Sequence, residues 1–177
     1  MIKFYIEPDY NVKHPEREYG NAGIDFFIPT MNPTFADAFE CKNDPENAYL
    51  VYDDYDGSWT IRITAHGRAN IPSGVRSYIS ANVALEAQNK SGIATKRGLV
   101  YGAATIDANY QGIIHISLIN TTAEAVDLPL GSKAVQFIPR IIDPSAIEVT
   151  TEGTVEEFYK DFEFTNRGEG AFGSTGV

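Results

Sequence analysis

The chain has 177 residues, 43% of them apolar, and carries a formal net charge of −10. That length and apolar share suit one globular domain with a buried core. The acidic balance argues against a sequence-independent nucleic-acid binder, which would present a basic face.

From the N-terminus, MIKFYIEPDYNVKHPERE holds no long apolar run, so neither a signal peptide nor a membrane span is expected. The lone cysteine, Cys41, allows no intrachain disulfide. Together these predict a soluble protein of the reducing cytoplasm. In AGIDFF (22–27) a carboxylate, Asp25, sits in an apolar setting. Residues Met31 to Gly57 are acidic, aromatic and punctuated by proline, and read as a surface insertion or long hairpin between strands, where a partner could bind. Trp59 to Thr64 alternates apolar with polar, the period of a half-buried strand. Val83/Leu85, Ile114/Ile116/Leu118, Lys133 to Pro139 and Ile147/Val149 give further short strands. Turn signals recur at Pro72-Ser73-Gly74, Lys90-Ser91-Gly92, Gln111-Gly112 and Pro129-Leu130-Gly131. The one helix candidate is TVEEFYKDF, opened by a capping box of Thr154 and Glu157. Many short strands with frequent turns predict an all-β barrel or sandwich.

Chemistry-bearing motifs are few. There is no Cys-x-x-Cys and no HExxH, and His14, His66 and His115 are scattered, so a zinc site is not expected. Neither GxSxG nor a P-loop occurs. Asp107 follows Thr105-Ile106 and precedes a glycine turn, a setting suited to a general base for water or to a loop-capping aspartate. Past a polar-aromatic connector (155–167), RGEGAFGSTGV (167–177) is rich in glycine and small hydroxyls. Such a run can approach phosphates through its backbone amides. It reads as a strap that orders over a ligand, with Arg167, Ser174 and Thr175 for anionic oxygens and Phe172 for a flat group.

Five segments in order, AGIDFF (22–27), NKSGIA (89–94), ATIDANYQG (104–112), GSKAVQFIP (131–139) and RGEGAFGSTG (167–176), resemble the five motifs of the trimeric dUTP diphosphatases (dUTPases). The resemblance implies a jelly-roll-like β-barrel over residues 1–166, a glycine-rich lid over 167–177, and a homotrimer whose three active sites draw on all three chains. It implies hydrolysis of dUTP to dUMP and pyrophosphate, limiting uracil in DNA and supplying dUMP for thymidylate synthesis. Asp107 matches the aspartate that deprotonates the attacking water, and Tyr110 the ring packed under the deoxyribose. Ser91 and Gly92 match a phosphate-contacting turn after Lys90, and Gln136 a polar residue near the phosphates. Tyr101, Ile106 and His115 are further substrate-binding candidates. Arg167, Gly173, Ser174 and Thr175 match the grip on the terminal phosphate, and Phe172 the cover over uracil. Mg²⁺ would be held mainly by substrate phosphates and waters, with Asp25 organising that shell through water. A deoxynucleotide is thus the expected partner, with no membrane and no direct nucleic-acid contact.

The chain departs from the family pattern at Lys90, where arginine is usual; lysine keeps the charge but loses the planar fork. Segment 91–107, which would form the hairpin that reads uracil, is about two residues short and lacks the usual asparagine. Glu169 and Ala171 vary the glycine tail. A related reading, dCTP deaminase, requires a glutamate on the strand after the Ile-Asp turn, where this chain has Ser117 in a stretch without carboxylates. Two further alternatives are a diphosphatase acting on both dUTP and dCTP, and a nucleotide-responsive interaction protein using the acidic insertion.

Overall fold

The computed structural model describes residues 1–143 together with Ser145, Gly153, Thr154 and Glu157. The chain divides into two compact units, Met1–Asp143 and Pro144–Val177. In the second, the described residues include the expected capping box. The Thr154 amide donates to Glu157 Oε2 at 2.8 Å, and the Glu157 amide donates to Thr154 Oγ1 at 3.2 Å. The rest of the helix candidate, the Ile147/Val149 strand and the glycine tail lie outside the described residues.

The first unit is built of strands. In chain order these are β1 (Ile2–Ile6), β2 (Ile24–Phe27), β3 (Ala48–Asp53), β4 (Ser58–Ile63), β5 (Arg68–Pro72), β6 (Val75–Ile79), β7 (Val83–Asn89), β8 (Leu99–Tyr101), β9 (Thr105–Ile106), β10 (His115–Asn120), β11 (Val126–Pro129) and β12 (Lys133–Ile141). Four antiparallel sheets result, ordered β1-β6, β5-β10-β8, β11-β4-β3 and β2-β12-β7-β9. The alternation read from the sequence is the burial seen. On β10, Ile116 and Leu118 are buried, while His115 and Ser117 are only half-buried and Ile119 is exposed. Opposite faces of one strand thereby serve core and surface.

Helices enter in two places where turns or surface were expected. Helix α1 (Pro33–Lys42) begins with Asn32, whose Oδ1 accepts the Phe35 amide at 2.8 Å, and with proline in the first turn. Both are strong start signals. Its Phe35 and Phe39, one turn apart, are fully buried with ring centroids 5.9 Å apart. The segment from Met31 to Gly57 is therefore not a surface elaboration alone. It contributes α1 and the edge strand β3, and it places Phe35, Phe39 and Ala48 in the same core as Phe26, Ile61 and Phe137. Lys90-Ser91-Gly92, read as a turn, instead opens helix α2 (Ser91–Arg97), with the Lys90 carbonyl accepting the Ile93 and Ala94 amides, each at 2.9 Å. Among the described residues, no helix is long and apolar enough to cross a membrane.

Candidate active site

Strand β12 lies between β2 and β7, and this sheet, continued by β9 beyond β7, gathers residues of four of the five sequence segments. Gln136 on β12 is opposite Asp25 on β2 and Gln88 on β7. A methyl group on Gly23 would come within 2.6 Å of Gln136 Oε1, so the glycine lets this side chain lie against the backbone of the AGIDFF segment. The Gln136 amide donates to the Asn89 carbonyl at 3.4 Å, next to Lys90 and the start of α2. Asp25, Lys90 and Gln136 are thus neighbours, with the exposed Ser91 and Gly92 directly following.

Asp25 is buried, with 9% of its surface exposed, and each of its oxygens accepts from an ammonium. Lys90 Nζ is 2.6 Å from Oδ1 and Lys133 Nζ is 2.9 Å from Oδ2. Lys133 also reaches Glu16 at 2.8 Å, and Glu16 pairs with Lys13 at 2.8 Å. Burial alone would raise the Asp25 carboxyl. The hydrogen bonds from Lys90 and Lys133 outweigh it and hold the group below the ordinary carboxylate range. The same network lowers Glu16, through its hydrogen bonds from Lys13 and Lys133, and raises Lys133, through its hydrogen bonds to Glu16 and Asp25. Lys133 and Asn89 lie inside two of the five segments without a role legible there, and Glu16 carries no motif signal; strand pairing brings Lys133 and Glu16 to Asp25 and Asn89 to Gln136.

The second cluster lies elsewhere. Asp107 is exposed and follows β9, which pairs with β7 through Leu85–Ile106 and Glu86–Thr105. The Tyr110 amide donates to the Asp107 carbonyl at 3.1 Å, closing a turn. Tyr110 Oη donates to the Ile113 carbonyl at 2.8 Å, and the tyrosine lies so close to Gly112 that a methyl there would collide with it. Arg76, paired with Glu7, donates to the Gln111 carbonyl at 2.7 Å and braces the same turn. Ile106 is half-buried on β9.

A third group borders residues 99–106, where the expected hairpin is not formed: β8 pairs with β10 and β9 with β7 rather than with each other, and 91–97 is helix α2. The Tyr101 amide is held by Asn89 Oδ1 at 2.9 Å, and the Gly102 amide donates to the Ser117 carbonyl at 2.9 Å. His115 shares the Ser117 face of β10; burial lowers its imidazole pKa and favours the neutral ring. Arg167, Phe172, Gly173, Ser174 and Thr175 lie outside the described residues.

The structure therefore joins Asp25, Lys90 and Gln136 directly, and Asp107 with Tyr110 directly, but sets the two groups at opposite ends of β7. By register, Asp107 falls level with Ala84, six residues from Lys90, which at about 3.3 Å per residue is roughly 20 Å. As for a metal, no three carboxylate, histidine or cysteine side chains cluster among the described residues, and Asp25 is committed to two lysines. This donor set fits a metal carried by a polyphosphate rather than one caged by protein.

A family model for dUTPase matches residues 58–176. A deoxyuridine 5′-triphosphate nucleotidohydrolase of Yarrowia lipolytica is 34% identical over 116 residues, 65% of this chain and 69% of the relative. The dUTPase of Staphylococcus bacteriophage 80alpha with dUPNHPP superposes with a TM-score of 0.63 at 18% identity, covering 100% of this chain and 99% of that one. A mutant dUTPase of phage phi11 of S. aureus, whose structure concerns coordination of a structural Mg(II) ion, gives 0.60 at 16% identity, covering 86% and 98%. The all-β fold is the fold of these structures.

Proposed function

This chain belongs to the dUTPase family, whose reaction is hydrolysis of dUTP to dUMP, and we propose that it performs that reaction at sites shared between the chains of a homotrimer. The observation that carries the shared-site reading is the separation along β7. A general base must stand within hydrogen-bond reach of the water it activates. A base roughly 20 Å from the start of α2, where Ser91 and Gly92 would meet the phosphates, cannot meet that requirement within one chain. Asp107 and Tyr110 of one protomer therefore face Ser91, Gly92 and Gln136 of another.

Within such a site, Asp107 is exposed and free to take a proton from the water that attacks the α-phosphorus, with pyrophosphate as the leaving group. General-base help of this kind is worth about 10²–10⁴ in rate. Tyr110, fixed by its bond to Ile113, offers its ring to the deoxyribose and leaves no room for a 2′-hydroxyl. Ser91, Gly92 and Gln136 contact phosphate oxygens. Lys90 and Asp25 are positioning residues, because their charges are used on each other to fix the start of α2 against β2. Ile106, Tyr101 and His115 border the nucleoside. Mg²⁺ carried on the phosphates would neutralise their charge, and no protein cage is required of it. Residues 1–166 form the catalytic domain and 167–177 the lid. Arg167, Gly173, Ser174 and Thr175 hold the terminal phosphate, Phe172 covers the base, and closure excludes water.

The reading is tested by pyrophosphate release from dUTP, UTP and dTTP with Mg²⁺. Turnover of dUTP well above UTP and dTTP is expected. No release from dUTP would overturn it.

A further inference from the structure

The turn that carries Asp107 and Tyr110 is held largely by its own residues. The Tyr110 amide closes it onto the Asp107 carbonyl, and Tyr110 Oη closes it onto the Ile113 carbonyl. Ala108 and Ile113 pack against the core. Among the described residues, one hydrogen bond ties residues 107–112 to chain outside 107–113. Arg76 Nη1 donates it to the Gln111 carbonyl at 2.7 Å.

Arg76 stands on β6 opposite Tyr5 of β1, next to the buried Val75 and on the other face of the strand. Its Nε donates to the Glu7 carboxylate. Glu7 is anchored in turn through its backbone: its amide donates to the Gly74 carbonyl at 2.9 Å, and its carbonyl accepts the Tyr10 amide at 3.0 Å. Tyr10 is buried and lies directly against Gly74. The donors of a guanidinium share one rigid plane, so a fixed carboxylate on Nε also sets the direction in which Nη1 points.

The Gln111 carbonyl and the Gly112 amide belong to one planar peptide unit. Holding that oxygen sets the tilt of the unit and with it the place of the Gly112 α-carbon. Tyr110 rests on this glycine: an added Cβ would lie 2.4 Å from Oη and 2.6 Å from Cζ. A chain of contacts thus runs from Glu7 through Arg76 and the 111–112 peptide to the Tyr110 ring.

We propose that Arg76 is a positioning residue of the active site, which holds the Gln111–Gly112 peptide so that the Tyr110 ring rejects a 2′-hydroxyl. The proposal rests on the function proposed above and names a further residue that determines its specificity. Rejection by contact depends on where the ring stands, and a displacement of about 1 Å at a site is enough to cost up to about 100-fold. In the proposed site the base meets other residues, so selection against dTTP does not pass through Arg76.

The test is kcat/KM for dUTP, UTP and dTTP with the purified full-length protein, its Arg76→Met, Arg76→Lys and Glu7→Gln variants, and Tyr110→Ala, each checked for folding by its melting curve. In Arg76→Met the dUTP-to-UTP ratio should fall at least tenfold, while the dUTP-to-dTTP ratio stays within threefold of wild type. Arg76→Lys keeps the charge but not the planar fork, so it should also lose at least threefold in the first ratio; this variant carries the test if Arg76→Met does not fold. Glu7→Gln loses the ion pair yet still accepts from Nε, so it should lower the melting temperature and leave both ratios within threefold. An unchanged dUTP-to-UTP ratio in the Arg76 variants, where Tyr110→Ala lowers it, overturns the proposal. So does an equal fall in both ratios, the mark of a merely structural role, or a Glu7→Gln effect on the first ratio as large as that of Arg76→Met. No change in Tyr110→Ala either overturns the sugar contact on which the proposal rests, and absence of dUTP turnover in the wild type overturns the underlying function.

Discussion

Lys90 Nζ stands 2.6 Å from Asp25 Oδ1, tying the end of β7 to β2 across the intervening β12. Its partner carboxylate is shared with Lys133, so one buried charge ties together three strands and the N-cap residue of α2. Lysine reaches this carboxylate as a point charge, and a second ammonium, Lys133, takes the other oxygen.

The sign of the pH dependence follows from Asp25. Its carboxyl is lowered in the folded protein, so its stabilisation is present above the ordinary carboxylate pKa of about 3.9 and is lost as pH falls through the lower folded value. Asp25→Asn should melt below wild type at pH 7, and the gap should close as the pH approaches 2. A gap in melting temperature that persists unchanged into acid would show that the ion pairs are not its source.

Phe35→Ala should destabilise by about 3–5 kcal/mol, the cost of emptying a fully buried aromatic site. For the same reason, replacing residues 34–56 by a short Gly/Ser linker should abolish folding. Chemical denaturation of the point variant measures the first effect. A loss under about 1 kcal/mol would restore the reading of this segment as surface.

Much of the fold was legible because strand alternation is a local signal. β4, β10 and β12 follow directly from period-two runs, and the Thr154–Glu157 capping box stands where its spacing put it. Helix α1 was missed although its signals were present: Asn32 and Pro33 open it, and Phe35 and Phe39 form its apolar face. Seven of the residues from Met31 to Gly57 are acidic, and that charge masked two phenylalanines one turn apart. At the site, Asp107 and Tyr110 lie in one turn because they are close in sequence. Lys133 could not be read, since its tie to Asp25 depends on pairing between β2 and β12, more than a hundred residues apart.

Gly112→Ala offers a test of the sugar contact without touching Tyr110. The added methyl collides with the tyrosine, so the ring must leave its place beside the Ile113 carbonyl. Discrimination of dUTP over UTP, measured as a ratio of kcat/KM, should fall at least tenfold, as in Tyr110→Ala. An unchanged ratio in both variants would remove Tyr110 from sugar selection.

Site sharing predicts complementation. Asp107→Asn and Ser91→Ala variants, each weakly active alone, should regain turnover after being unfolded and refolded together, because some mixed sites then carry both native groups. Activity of the mixture no higher than the mean of its parts would place both groups in one chain's site.

If residues 167–177 serve as the proposed lid, truncation before Arg167 should leave melting of the 1–143 unit unchanged while lowering kcat/KM for dUTP at least 100-fold. Full activity after truncation would refute the lid.

The most direct measurement compares wild type with Asp107→Asn for pyrophosphate release from dUTP, alongside binding of a non-hydrolysable dUTP analogue. Asparagine keeps the shape but cannot accept the proton, so turnover should fall about 10²–10⁴-fold with analogue affinity within a few-fold of wild type. Turnover in Asp107→Asn equal to wild type would contradict the assignment of Asp107 and the mechanism built on it.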